Sequence, residues 1–257
     1  MRISNFSQVL FEALQYSGND RHNISDETFA QFRDFISARL REAWEQDEWL
    51  DICRLAQFTI TTDANNVSSF TLPPDAGEVL GVYNLNPQVT TRARDIGYEI
   101  YDDGTTTKVI LRSNFVTEGW YNYRKKCPQL TGELYDSARV YSQGVQVYFD
   151  SGSGTGTYLP VSGKPHYGNF YTCLTAVTVA GQNPNTHPAL WEKVEIPYIF
   201  GNYLAWGAAA NWLVSEGQLQ EAAGLDSKAT YMLSVEADKI ARQQNQSQKI
   251  KFINPYT

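Results

Sequence analysis

Apolar positions recur at helical spacing near both ends of the chain and alternate with polar ones in between. Over residues 4–17, Phe6, Val9, Leu10, Ala13 and Leu14 fall on one stripe, and Gly18-Asn19-Asp20 stops it. Ser25 is placed as an N-cap, with Asp26 and Glu27 in the turn where a helix dipole favours acids. Phe29, Phe32, Ile36, Leu40, Ala43 and Trp44 continue as a second stripe, expected to run on through residue 56. The short polar link between the two predicts an antiparallel helical hairpin. Residues 193–246 read as helical again, with Gly217 as a break.

In the middle the period is two. Strands are expected at Phe58–Thr62, Ser69–Leu72, Val79–Asn84, Tyr98–Tyr101, Lys108–Leu111 and Gly119–Tyr123. Asp103-Gly104 is the turn of a hairpin. These strands predict a small antiparallel sheet domain over 57–130. Residues 138–192 read as an inserted small β module, with short β-like pieces around the Gly/Ser loop from Ser151 to Gly156. The expected fold class is therefore α+β: a helical bundle built from both chain ends, a small antiparallel β-sheet domain, and an inserted small β module. The core would comprise 1–137 and 193–246, with helices at 4–17, 25–56 and 193–246. Replacing residues 138–190 with a short linker should leave that core folded.

Residues 247–257 form a tail. Lys249, Lys251 and Ile253 alternate with Ile250 and Phe252, so an extended segment would separate the two sets, and Pro255 and Tyr256 follow. The expectation is a docking peptide, ordered only against a partner.

With 257 residues, 42% apolar and 19% charged, the composition is globular. Aromatics reach 13%, with 16 Tyr against 2 Met, which suggests many half-buried contacts. The formal charge, 21 − 28 = −7, argues against a protein that grips nucleic acid through its phosphates. Residues 26–51 hold most of that charge, 3 − 8 = −5. Asp34, Glu42, Glu45, Asp47 and Glu48 mark an acidic surface helix or channel wall. The segment 242–257 has Arg242, Lys249 and Lys251 and no acid. Cys53, Cys127 and Cys173 are isolated, which excludes a disulfide framework and a CxxC metal site and points to a reducing compartment. No apolar run follows Arg2, so no secretory leader is expected. The uncharged span Ile196–Ser215 holds Pro197, Gly201, Gly207 and two Asn, and reads as a helix covered by other helices or subunits rather than by lipid.

Candidate chemistry is sparse. Gly152-Ser153-Gly154-Thr155-Gly156 lacks the Lys-Ser/Thr and the helix start of a phosphate loop. Asp102-Asp103 and Asp47-Glu48 are adjacent carboxylates, which diverge on a strand or a helix instead of facing each other. His22, His166 and His187 show no metal spacing. Cys173 with His187 makes no nucleophile–base pair by sequence alone, and a buried Cys in a strand is the simpler reading. The chain is read as non-enzymatic, with no cofactor and no metal.

Several stretches, taken in order, resemble phage head–tail connectors of the portal-adaptor or tail tubular protein A type. They are Arg41-Glu42-Ala43-Trp44-Glu45-Gln46-Asp47-Glu48-Trp49, then Phe70-Thr71-Leu72-Pro73-Pro74-Asp75 with Val79-Leu80-Gly81-Val82-Tyr83. Trp120-Tyr121-Asn122-Tyr123-Arg124-Lys125-Lys126-Cys127-Pro128 follows, and Val194-Glu195-Ile196-Pro197-Tyr198-Ile199-Phe200 opens a helix with Ala208-Ala209-Ala210. The resemblance implies a structural virion protein at the neck, assembled in the host cytoplasm. Copies of it, twelve in that family, would form a ring below the portal that receives the tail tube or nozzle. DNA would pass without tight binding, no membrane would be involved, and Lys249, Ile250, Lys251, Phe252, Ile253 and Tyr256 would dock on the portal ring.

Within 138–192, Tyr141-Ser-Gln-Gly144-Val-Gln-Val147, Gly168-Asn-Phe-Tyr171-Thr-Cys173, Gly181-Gln-Asn-Pro184 and Trp191-Glu192 resemble chitinase-type carbohydrate-binding modules. That resemblance implies Tyr167, Tyr171 and Trp191 as sugar-stacking residues, while the same residues would serve equally as the core of a small unit. The leading expectation is an adaptor ring. The alternative is a glycan-binding virion decoration protein acting through 138–192, and a hydrolase is disfavoured by the missing catalytic constellation.

Overall fold

A computed structural model of the chain describes residues 3–20, 24–62, 67–102, 104, 106–112, 118–150, 168–175 and 179–252, with the backbone alone over 243–252. The helices are α1 (Phe6–Tyr16), α2 (Asp26–Gln46), α3 (Gly201–Ser215) and α4 (Leu219–Phe252). The strands are β1 (Ile3–Ser4), β2 (Cys53–Thr59), β3 (Thr61–Thr62), β4 (Ser68–Thr71), β5 (Ala76–Tyr83), β6 (Tyr98–Asp102), β7 (Thr107–Leu111) and β8 (Glu118–Lys125). After them come β9 (Glu133–Leu134), β10 (Gln146–Phe149), β11 (Asn169–Cys173), β12 (Trp191–Lys193) and β13 (Ile196–Pro197).

Local chemistry sets the helix ends. Helix α1 buries the expected stripe, and Gly18, at φ 75°, turns the chain so that the Asn19 N–H reaches the Leu14 carbonyl. The Ser25 hydroxyl accepts the Thr28 N–H at 3.1 Å and caps α2. That helix ends at Gln46, ten residues short of the expected 56. Asp47 is extended, Trp49 and Ile52 are buried in a turn, and the N–H groups of Ile52 and Cys53 both bond to the Trp49 carbonyl. From Cys53 the chain is strand β2, paired with β8. The helical run expected over 193–246, with its break at Gly217, starts later than expected. Trp191–Lys193 and Ile196–Pro197 are strands, α3 begins at Gly201, and Gly217, at φ 79°, separates α3 from α4.

The chain divides into two units, residues 1–47 with 128–257, and residues 48–127. In the first, β12-β11-β10-β9 form one sheet, antiparallel except for the β10–β9 pair, and β1 pairs with β13. Tyr148 and Phe170 are cross-strand partners on one face of that sheet. They meet Phe6 of α1 and Phe29 of α2, with ring centroids 4.7 Å apart for Phe6–Phe170 and 5.1 Å for Phe29–Tyr148. The other face packs Val147, Phe149, Cys173 and Trp191 with Tyr135 and Tyr141. Helix α3 packs on α1, α2 and α4, burying Leu204, Ala205, Ala208, Ala209 and Ala210.

These contacts correct the expected fold class. The chain is mixed α/β, with four helices and four sheets among the described residues, and does not form a helical bundle from both ends. Phe6 of α1 and Phe29 of α2 are covered by a sheet, while Phe32 stacks on Trp212 of α3, so the strands from 138–192 share a core with the helices and are not a small module set apart from it. Helical periodicity showed that these faces are buried, but not what buries them.

The second unit holds the two remaining sheets, β2-β8-β5 and β3-β4-β7-β6, all antiparallel. The strands expected from alternation are all present here. The run 53–62 pairs first with β8 and then with β4; the run 94–102 bonds first to β5 and then to β7. Both runs turn the corner between sheets and enclose Phe58, Phe70, Val82, Val109, Leu111 and Tyr121. Gly104, at φ 82°, closes the β6–β7 hairpin as expected.

Candidate interaction surfaces

Arg39 organises the junction of α2, α3 and α4. Its Nη2 donates to Asn211 Oδ1 at 2.8 Å and pairs with Asp226 Oδ1 at 2.6 Å, while Nη1 lies 3.5 Å from Glu42 Oε2. The Tyr203 hydroxyl donates to the same Glu42 oxygen at 3.0 Å. Gly207 leaves room for the Arg39 stem, since a Cβ there would come within 3.0 Å of it. Burial disfavours the guanidinium charge, but Tyr203 and Asp226 outweigh it and hold the Arg39 pKa above its ordinary value. This node fastens three helices.

The acidic residues expected to mark a surface helix or channel wall fall on α2 and just beyond its end. Asp34, Glu42 and Glu45 are exposed on α2, opposite its buried stripe. Asp34 pairs with neighbouring Arg33 at 2.9 Å, and Glu42 belongs to the Arg39 node. Asp47 follows the end of α2, and Glu48 opens the second unit.

Of the aromatic candidates, Trp191 is buried, its rings edge-on to Tyr141 and Tyr135, and its Nε1–H donates to the Gln182 carbonyl at 3.0 Å. Tyr171 is half-buried with its ring edge-on to Phe149. Trp191 belongs to the core cluster on that face of the sheet, and Tyr171 packs against it. Tyr167, the Gly/Ser loop, His22 and His166 lie outside the described residues. Cys173 is buried, its Sγ–H directed at the Thr175 carbonyl, and His187 bonds through Nδ1 to the Thr186 hydroxyl. Among the described residues no group of His, Cys, Asp and Glu is placed to hold a metal ion, and no helix is long and apolar enough to cross a membrane.

The tail departs from its expected conformation. Helix α4 runs to Phe252, so Lys249, Ile250, Lys251 and Phe252 are helical and not extended; Ile253 and Tyr256 lie outside the described residues. Between Gly224 and Pro255 no Gly or Pro interrupts the helix. Its buried residues up to 242 are Ala222, Ala229 and Leu233, and none of residues 234–242 is buried. A second surface gave no distinguishing signal in the sequence: β6 is an edge strand, exposed from Glu99 to Asp102.

No protein-family model matches the chain, and no curated protein matches it either.

Proposed function

We propose that this chain is a structural subunit, the adaptor ring that joins a phage portal to its tail and lets DNA pass. Helix α4 carries the reading. It has 34 residues, about 50 Å at 1.5 Å per residue, yet its buried positions up to residue 242 stop at Leu233. Residues 234–242 are exposed or half-buried, and a stretch of helix that its own core does not bury is available to a partner. That outer part leads into Lys249, Ile250, Lys251, Phe252, Ile253 and Tyr256, which supply cations and apolar side chains to a portal ring. The connector-like order of motifs and the net charge of −7 are consistent with it. Further copies in a ring and a tail tube or nozzle complete the set of partners, at the neck of the virion.

The test mixes the purified chain with the portal ring of the same virus and follows attachment by sedimentation velocity and negative-stain imaging. A ring-shaped complex is expected. Truncation after Gln246 should leave the thermal transition unchanged and weaken attachment by at least ~10-fold, ~1.4 kcal/mol. A full-length chain that never attaches would end the reading, and unchanged attachment of the truncated chain would remove the tail from it.

A further inference from the structure

Strand β6 ends its sheet, and the direction of its backbone groups follows from its register. The Arg112 N–H bonds to the Gly97 carbonyl at 3.0 Å, and Glu99 and Tyr101 oppose Ile110 and Lys108 in the same sense. In an antiparallel ladder, successive residues point their N–H and C=O to alternate sides. Gly97, Glu99 and Tyr101 therefore bond toward β7, and Tyr98, Ile100 and Asp102 point away. The outward side is used by Ile96, whose N–H bonds to the Val82 carbonyl at 2.8 Å, but from Tyr98 onward no backbone partner occupies it among the described residues. Ile100 is 53% exposed and Tyr101 55% exposed. An open edge with apolar side chains is a template for another strand.

We infer that β6 pairs with β6 of a second copy of this chain, antiparallel and centred on Ile100. The side chains select both the occupant and the register. Centred there, Ile100 meets Ile100, Glu99 meets Tyr101, and Tyr98 meets Asp102, so no acid opposes an acid. Moving the centre to residue 99 sets Glu99 against Glu99, and moving it to residue 101 sets Ile100 against Asp102. Like charges directly opposite are destabilising, whereas apolar and aromatic cross-strand pairs stabilise. The outward residues Tyr98, Ile100 and Asp102 would then all fall in hydrogen-bonded pairs. Arg112, already paired with Glu99, adds positive charge at the flank. The contact is two-fold and so cannot itself close a head-to-tail ring; it goes beyond the adaptor reading and stands or falls without it.

Sedimentation velocity of the full chain should show a reversible dimer. Ile100→Pro removes an outward N–H and no bond to β7, so it should weaken the dimer by at least ~10-fold while circular dichroism and the thermal transition stay near wild type. Ile100→Cys places two thiols across the axis at a Cα separation of ~5.5 Å, within disulfide range. Mild oxidation should link that variant into a covalent dimer and leave the wild type unlinked. A chain that stays monomeric at every concentration, a folded Ile100→Pro variant that dimerises as wild type does, or an Ile100→Cys variant that stays unlinked would each overturn the pairing. Portal attachment by Ile100→Pro, measured alongside, reports separately on the adaptor reading.

Discussion

At Gly168 the backbone passes so close to Tyr148 that a Cβ would run into the Tyr148 hydroxyl and sit 3.0 Å from an Asp150 carboxylate oxygen. Tyr148 is fully buried and cannot swing away. The same stretch holds the start of α1. The Ser7 hydroxyl accepts the Gly168 N–H at 2.8 Å, the Gly168 carbonyl accepts the Ser7 N–H, and Asn169 Oδ1 accepts the Phe6 N–H. Gly168→Ala should therefore cost ~1–3 kcal/mol by overpacking, read as a lower urea midpoint. Gly224, in α4 with open space around it, is the contrast: Gly224→Ala should gain up to ~1 kcal/mol of helix propensity. A pair of variants moving in the same direction would contradict this account of both sites. Burial also pushes the Tyr148 phenol well above its ordinary 10.0, with the Asp150 charge adding to it. The sign follows from linkage: the folded chain keeps this proton while the unfolded chain releases it near pH 10, so its stabilisation is complete below pH 10 and is lost as pH rises further. Urea midpoints taken from roughly pH 8 to 11 should fall more steeply for wild type than for Tyr148→Phe. Equal slopes would assign the alkaline loss to the other buried tyrosines.

Elements with a local signal were legible in the sequence. The Ser25 cap, the Gly18 stop, the Gly217 break and the alternating strands of 57–130 each depend on residues within a turn or two of each other. The end of α2 was hidden because Trp49, Ile52 and Leu55 keep a helical spacing even though Asp47 is extended and the chain turns to strand. The full length of α4 was hidden because alternating lysines and apolar residues at 249–253 fit a strand as well as a helix. What a buried face packs against is a long-range property, which no local pattern contains. Tyr148 and Phe170 lie more than a hundred residues from Phe6 and Phe29, and their contact changes an expectation made for the whole element. Replacing 138–190 with a linker removes β10, β11 and the rings that cover Phe6 and Phe29, so the remaining core should fail to fold cooperatively. The milder test is Phe170→Ala, expected to cost ~3–5 kcal/mol through the cavity left among Phe6, Phe29 and Tyr148. A soluble deletion variant with a sharp thermal transition would restore the separate-module reading.

At the scale of the molecule, the net charge of −7 remains after every cation is counted, Arg33, Arg39 and the basic end of α4 included. Phosphate binding draws its free energy from released counterions, so an acidic chain gains little by holding a duplex. Fluorescence anisotropy with a short duplex at physiological salt should show no binding below ~10⁻⁴ M, and a tighter complex would count against a channel that DNA must leave freely. The second whole-molecule property is where the chain can be cut. Separability requires a core of its own and two ends that already lie together. The stretch 138–192 meets the first only in part: one face of its sheet packs a cluster with Tyr135, but the other, with Tyr148 and Phe170, completes a core that α1 and α2 begin. The stretch 48–127 has both. Phe58, Phe70, Val82, Val109, Leu111 and Tyr121 form its core from its own strands, and its ends lie beside each other because Cys53 opposes Arg124 in the β2–β8 pair and the Lys125 N–H bonds to the Ile52 carbonyl. A domain of roughly 80 residues buries little more than ~60% of the surface of its unfolded chain, so its stability should be modest. The excised segment 48–127 should nonetheless give a β-rich circular dichroism spectrum and a single thermal transition. Tyr121→Ala, which removes the ring packed against Phe58 and Phe70, should abolish that transition in the excised segment. A segment that stays unfolded without the rest of the chain would show that its core is not sufficient, and the division at 47/48 and 127/128 would then describe contacts without marking an independent folding unit.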